Sequence, residues 1–275
     1  MVGLAIGFDL GRYHATAWGA HVNEATVEWP PSPWRLLRAL YAAGLTNLDL
    51  ATARADLERA LTALARASPP TFELPASGAG HTRHYLPLAG HSPTNRGDTS
   101  LVIDAFRALD PAHELCAWWE VELDEPARDA LAATAAAVGY LGRSESVCTM
   151  RVLRESARKE RDAVPIADLD GDPSWEAAER VELLAVAEDV EDPLAVLRTS
   201  VTELRRKRML VPAGTRRVTY AVRRDPDAPP GARASPNARP TIAHLRVAGA
   251  SRPALTEAVI VTHLMRAALQ RRFDH

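Results

Sequence analysis

The chain has 275 residues, of which 47% are apolar and 25% charged, and this composition predicts a globular protein with one large domain or two small ones. Its two cysteines, Cys116 and Cys148, are too few for a disulfide framework or a cysteine-based metal cluster, so a reducing cytoplasm is the expected compartment. No apolar run in the sequence is long enough to span a membrane, and the formal net charge of −2 argues neither for nor against a nucleic-acid partner.

The first elements predict a strand and then a helix with a rigid beginning. Val2–Leu10 alternates apolar residues in the manner of a half-buried strand. Further along, Ser32 suits the N-cap of a helix, and the proline after it suits the first helical position, where an N–H is not needed. Arg35 and Arg38 lie three residues apart and therefore share one edge of this helix, which is predicted to end at Gly44. Both arginines are candidates for binding RNA phosphate or a neighbouring subunit.

The next elements complete a βαββαβ order. They are predicted to be a helix at Thr52–Ala67, strand pieces within Thr71–Leu88, a polar hairpin tip at His91–Ser100, strands at Leu101–Arg107 and Glu114–Leu123, a helix at Pro126–Val138 and a strand at Val147–Leu153. This order predicts an α+β fold class, with a ferredoxin-like (RRM-like) unit that contains insertions and occupies residues 1–153.

The rest of the chain predicts a mixed segment of uneven charge. Residues 154–240 are expected to be a charged connector, acidic from Glu160 to Asp192 and basic from Arg198 to Arg224. Residues 241–275 are expected to begin a second unit that the chain does not complete. The elements predicted in these two segments are a helix at Pro193–Arg208, a strand at Arg217–Arg223, a flexible loop at Asp225–Pro240, a strand at Thr241–Val247 and a helix at Arg252–Arg272.

Three short clusters combine aromatic rings, arginines and glycines at the ends of predicted strands: "GRYHATAWG", "TRHYLPL" and "GYLGRSES". Aromatic rings stack on unpaired bases, arginines bind phosphate, and glycines let backbone amides approach phosphate closely. The clusters therefore indicate binding of single-stranded RNA, although ordinary strand ends and turns can carry the same residues. The candidate residues are Arg12, Tyr13, His14, Trp18, Arg83, His84, Gly142, Arg143 and Ser144.

Two of these clusters are expected to meet in space. In a ferredoxin-like unit, the end of the first strand and the loop before the last strand lie on neighbouring central strands. Arg12, Tyr13 and His14 should therefore lie close to Gly142, Arg143 and Ser144. A stacking surface would then adjoin a glycine-lined seat for phosphate.

A fourth candidate is the basic stretch "RRKR", which consists of Arg205, Arg206, Lys207 and Arg208. Four adjacent cations repel one another unless they are solvated or paired, so this stretch is expected to face RNA or a partner subunit. The alternative is that all four pair with the acidic segment at 160–192.

The sequence carries no motif typical of a phosphate-binding loop, a dinucleotide fold, a zinc protease or a serine hydrolase, so no metal and no cofactor is predicted. His81 and His84 are three residues apart, but no cysteine or carboxylate follows nearby to complete a metal site. A metal-independent endoribonuclease needs a general base and a general acid, and His14, His84 and Tyr85 form the one local set that the sequence offers for them.

Four motifs occur in a fixed order: "GRYHATAWGAHVNEATVEWPPSPWRLLRAL", "TRHYLPL", "LVIDAFRALDP" and "GYLGRSES". From about Leu4 to Leu153 the chain resembles a CRISPR-associated family of the RAMP superfamily, the Cas five–Cas six fusion subunit of type I-G (earlier I-U) systems. The resemblance implies ferredoxin-like domains and a subunit that holds the 5′ handle of CRISPR RNA in an antiviral, Cascade-like effector complex. The partners it implies are a Cas seven-type backbone that the subunit caps, a large Cas eight-type subunit and a Cas six-like domain.

The chain departs from this family in length. Members of the family are longer, and the resemblance assigns cleavage of the repeat RNA to their C-terminal, Cas six-like half. Here the chain ends where the second RAMP domain is expected to begin, so RNA binding without catalysis is the expected role. Two alternatives stay open: a metal-independent endoribonuclease that processes CRISPR repeat RNA, and a protein-only scaffold.

Overall fold

The computed structural model describes residues 1–20, 22–47, 53–87, 99–155 and 160–223. These residues form a mixed α+β fold with a large antiparallel sheet, which confirms the predicted fold class. The elements predicted beyond residue 223, and with them the segment 241–275, lie outside the described residues. No helix in the described part of the chain is both long and apolar enough to cross a membrane.

The described residues form strands and helices in both halves of the chain. The strands are β1 (Val2–Phe8), β2 (Arg12–Tyr13), β3 (Thr71–Glu73), β4 (Ser77–Pro87), β5 (Thr99–Leu109), β6 (Leu115–Trp119), β7 (Cys148–Leu153), β8 (Ala163–Pro165), β9 (Glu179–Val186) and β10 (Thr215–Val222). The helices are α1 (Pro33–Thr46), α2 (Arg54–Arg66), α3 (Glu125–Ala136), α4 (Pro193–Arg198) and α5 (Val201–Lys207).

Seven strands form one antiparallel sheet in the order β7-β1-β6-β3-β8-β10-β9. β1 is completely buried between β6 and β7, and Leu4 lies opposite both Ala117 and Val152. The alternate residues Leu4, Ile6 and Phe8 join the core that the helices α1, α2 and α3 share with the sheet. The alternation that predicted this strand therefore identifies its helix-facing side.

The strands after residue 153, where the sequence predicts the end of a first domain, belong to the same sheet as β1. β8 bridges to β3 through Phe72 and Ala163, and β9 pairs with β10 along its whole length. β9 lacks a period of two because its first half is charged and its second half, Leu183–Val186, is buried on both faces. An acidic sequence with an uninterrupted apolar end gives no clear strand signal.

The helix predicted at Pro193–Arg208 is two helices, α4 and α5. The break falls at Thr199, whose backbone is extended, and Ser200, whose hydroxyl accepts the N–H of Glu203 at 3.1 Å. Ser and Thr side chains compete for backbone hydrogen bonds in this way and favour helix ends over helix interiors. The chain can therefore turn between α4 and α5.

A second sheet, in the order β2-β5-β4, contains a long hairpin between β3 and β6. β4 and β5 have eleven residues each and pair from Ser77 opposite Leu109 to Pro87 opposite Thr99. The predicted strand pieces in Thr71–Leu88 are thus β3 and one continuous strand, and most of the predicted tip lies outside the described residues. The short strand β2 joins the base of the hairpin to the end of β1.

Helix α1 begins as its sequence predicts but ends later. The Ser32 hydroxyl accepts the N–H of Arg35 at 3.3 Å, and Pro33 is the first helical residue. The helix continues past Gly44, where a Cβ atom would collide with the side chain of Leu57 in α2. Gly44 therefore allows the two helices to pack closely and does not terminate the first.

Candidate functional site

The loop after β2 and the loop before β7 lie against each other. The backbone N–H of Arg143 donates to the carbonyl of His14 at 3.0 Å. The backbone N–H of His14 in turn donates to the hydroxyl of Ser146 at 2.7 Å. The expected proximity of the two clusters is therefore confirmed.

Gly142 is the point of closest approach between these loops. Its φ is 88°, in the left-handed region, and a Cβ atom there would lie 2.5 Å from the carbonyl oxygen of His14. The sequence predicted that this glycine lets a phosphate approach the backbone closely. In the fold the space on the side of its missing Cβ is taken by the protein's own backbone, so Gly142 lets the two loops approach each other, and it also lines the cavity beside them.

A cavity of about 990 Å³ opens beside the two loops. Its walls come from residues 15–20, one face of α1, the turn at 137–143, and residues between 199 and 210 around α5. Besides two arginines, the α1 wall presents three alanines, Ala39, Ala42 and Ala43, and Trp18 and Tyr140 also line the cavity. Small apolar side chains together with aromatic rings can accommodate a nucleobase.

Three arginines line the cavity, and two of them are already neutralised by the fold. Arg35 Nε lies 2.7 Å from a carboxylate oxygen of Glu28, and these side chains are only 17% and 3% exposed. Burial acts to lower the pKa of Arg35, but the charge of Glu28 raises it above its ordinary value. Arg143 pairs at 2.5 Å with Asp104, which β5 supplies. Both predicted phosphate ligands therefore carry compensated charges.

Arg38 is the cavity arginine whose charge has no carboxylate partner within the described part of the chain. It lies one turn beyond Arg35 on α1 and is partly buried. Burial without a carboxylate lowers the pKa of its guanidinium. An unpaired cation in a cavity wall attracts an anion, which is the behaviour predicted for this residue.

Arg12 and Tyr13, which form β2, point in opposite directions. The Tyr13 ring is fully buried between Phe8 and Trp29, at centroid distances of 5.3 and 5.8 Å. Burial raises the pKa of its hydroxyl. The predicted stacking of this ring on an RNA base is therefore wrong, because successive strand residues face opposite sides and Tyr13 faces the core. Arg12 stays partly exposed over Phe106.

His14 is buried and faces a carboxylate of the hairpin. Its Nδ1 lies 3.3 Å from Asp104 without hydrogen-bond alignment, and its ring packs on Phe106 at 5.1 Å. This position contradicts the expectation of an accessible stacking or acid–base group. Trp18 is half-buried and meets Trp34 edge to face, so it offers the cavity part of its ring.

The hairpin separates the other candidates by strand alternation. His84 Nε2 lies 3.0 Å from the hydroxyl of Thr82 on one face of β4, whereas Arg83 and Tyr85 lie on the opposite face. Arg83 and His84 are exposed, and Tyr85 is 59% exposed opposite Leu101. Since His84 and Tyr85 are consecutive, the set predicted for an endoribonuclease does not converge on one point.

The remaining predicted residues are not among the described residues that line the cavity. Ser144 is exposed, and its hydroxyl donates to Glu145. Lys207 pairs with Glu203 in its own helix, while Arg206 and Arg208 are exposed and have no ion pair with the described acidic residues. The structure describes the backbone but not the side chain of Arg205.

The acidic segment at 160–192 does pair with basic residues, but with those of β10 and the residue after it. Arg216, Arg217 and Arg223 contact Glu188, Glu182 and Glu160, respectively. Pairing with the acidic segment therefore occurs on this strand, and among the described side chains of the "RRKR" stretch, those of Arg206, Lys207 and Arg208, it does not.

Sequence reasoning missed the carboxylates that decide which arginines are free. Glu28 has a local signal, because it precedes the helix N-cap and also accepts the N–H of Ser32 at 2.8 Å. Asp104 has none, since the hairpin brings it to Arg143 from a distant part of the sequence. Among the described residues, no group of three or more His, Cys, Asp or Glu is placed to hold a metal ion.

No protein-family model and no curated protein matches this chain. Function is therefore inferred from the cavity and its charges, together with the resemblance of the four quoted motifs.

Proposed function

We propose that this protein binds single-stranded RNA and holds one nucleotide of it in the cavity beside α1, without cleaving it. Following the resemblance, the RNA is the 5′ handle of a CRISPR RNA. The protein partners are then the Cas seven-type backbone, which this subunit caps, and the large Cas eight-type subunit.

The unpaired charge of Arg38 is the observation that carries the proposal. A partly buried guanidinium without a carboxylate partner costs free energy, and a charge-assisted hydrogen bond to an RNA phosphate offsets that cost. The alanines of α1, with Trp18 and Tyr140 beside them, offer a surface on which a base can lie. Phosphate and base contacts in one cavity suit a nucleotide better than a peptide.

The arrangement of strands supports a finer assignment of the fold. β7-β1-β6-β3, with α1 and α2 between β1 and β3 and with α3 between β6 and β7, has the order of a βαββαβ unit. We assign this part to a ferredoxin-like RAMP domain. In that assignment the hairpin of β4 and β5 is an insertion, and β8, β9 and β10 extend the sheet.

Binding without cleavage is favoured over the nuclease alternative by the position of His14. A general base must reach the 2′-hydroxyl that it deprotonates, and this ring is enclosed between Asp104 and Phe106. Incubation of the chain with labelled repeat RNA in EDTA tests the alternative directly. Specific cleavage that is lost in the His84→Ala variant would favour the nuclease over binding without cleavage.

The Arg38→Gln variant is expected to weaken RNA binding by about tenfold or more, because one charge-assisted hydrogen bond is lost. Fluorescence anisotropy with a short labelled single-stranded RNA measures the change. Glutamine keeps much of the apolar stem, so circular dichroism and the melting temperature should stay close to those of the wild type.

Arg151→Gln is the matched control, since Arg151 is exposed on β7 and paired with Glu114. It should bind RNA within about twofold of the wild type, as a surface pair distant from the cavity contributes little. Equal affinities of Arg38→Gln and Arg151→Gln would contradict the placement of phosphate at Arg38.

The affinity for RNA should also fall steeply with salt. Arg38, the partly exposed Arg12 and the exposed Arg83, Arg206 and Arg208 offer several phosphate contacts, each of which releases counterions. We expect a decrease of about tenfold to a hundredfold between about 50 and 200 mM salt. Binding that is flat over this range would exclude a phosphate-based interface, and no binding at low salt would favour the protein-only scaffold.

A further inference from the structure

The charges around the cavity limit the charge of the ligand. Arg35 is balanced by Glu28 at 2.7 Å and Arg143 by Asp104 at 2.5 Å, so each pair contributes no net charge. Arg38 adds one positive charge that nothing in the described residues balances. One negative charge on a ligand therefore balances the net charge of the arginines that line the cavity.

The edge of the cavity carries a charge of the opposite sign. Glu24 lines the cavity, is exposed, and has no ion pair within the described part of the chain. Its backbone carbonyl accepts the Thr26 hydroxyl, and no hydrogen bond to its carboxylate occurs among the described residues. A second negative charge on a ligand would be repelled by this carboxylate and would find no free cation among the lining arginines.

On the basis of the RNA-binding role proposed above, we infer that the cavity takes a nucleotide linked by a phosphodiester and discriminates against an RNA end that carries a phosphate monoester. A phosphodiester has one negative charge and matches Arg38. A terminal monoester has a charge of about −1.5 to −2 at neutral pH. This is more negative charge than the single unpaired charge of Arg38 can balance. The site would therefore select an RNA end that terminates in a hydroxyl group.

Three forms of one short single-stranded RNA test this inference with the full chain. They carry an internal fluorophore and end in two hydroxyls, a 5′-phosphate or a 3′-phosphate, and anisotropy gives each affinity at one low salt concentration. A phosphate at the end that enters the cavity should weaken binding by about threefold or more, whereas a phosphate at the other end should change little. The form that is disfavoured identifies the end that the cavity holds.

Variants separate this inference from the proposed function. Glu24→Gln should reduce the discrimination, and Arg38→Gln should weaken all three forms; Arg151→Gln should do neither. Tighter binding of a phosphorylated form, equal binding of all three forms, or full discrimination in Glu24→Gln would overturn the inference while RNA binding stands. If none of the three RNA forms binds, the proposed RNA-binding function itself is contradicted.

Discussion

Replacement of Glu28 by alanine should lower the free energy of unfolding by about 3–5 kcal/mol, because it leaves the buried charge of Arg35 without a partner. The Glu28 carboxylate accepts two hydrogen bonds from Arg35, at 2.7 and 3.2 Å, and one from the backbone N–H of Ser32 at 2.8 Å. Its loss therefore leaves the charge of Arg35 unpaired and also removes the acceptor of the Ser32 N–H at the start of α1. Urea denaturation followed by circular dichroism measures the change.

Two further variants check the cause of this loss. The double variant Glu28→Ala, Arg35→Met should be less destabilised than Glu28→Ala alone, because the unpaired charge has been removed. Glu114→Ala breaks the exposed pair with Arg151 and should cost less than about 1 kcal/mol. If Glu28→Ala loses no more free energy of unfolding than Glu114→Ala, the pair of Glu28 with Arg35 does not stabilise the fold.

Features of the fold that depend on neighbouring residues could be predicted from the sequence. Ser32 and the proline after it determine where α1 begins, since capping is a local interaction. The alternation in Val2–Phe8 identifies β1 and its core-facing side. Features that depend on packing between elements were not predictable. The sequence predicts that the helix ends at Gly44, yet α1 continues past this residue. A glycine is needed there because the side chain of Leu57 in α2 lies against it.

For the candidate site, too, some features could be predicted from the sequence and others depend on the folded structure. The meeting of His14 with Arg143 follows from strand order alone, so a sequence-based topology is sufficient to predict it. The direction of Tyr13 could not be predicted, because a strand of two residues is too short to reveal its period. Which arginines are free depends on Glu28 and Asp104, and only the folded hairpin brings Asp104 to Arg143.

Substitution of Gly142 by alanine should lower the free energy of unfolding by about 2–4 kcal/mol, since it adds backbone strain to a steric clash. At a φ of 88° a residue with a Cβ atom is strained, and that atom would lie 2.5 Å from the carbonyl oxygen of His14. Relief of the clash must lengthen the hydrogen bond from Arg143 to the same carbonyl, now 3.0 Å. The loops that shape the cavity would separate.

Gly139→Ala provides the control within the same turn. A Cβ atom at Gly139 meets nothing within 4 Å, and its φ is not positive, so this variant should stay within about 1 kcal/mol of the wild type and be stabilised if it changes at all. Thermal and urea denaturation of both variants measure the difference. The packing role of Gly142 requires that stability and RNA affinity fall together in Gly142→Ala. Loss of affinity at unchanged stability would instead restore the direct phosphate contact that the sequence suggests.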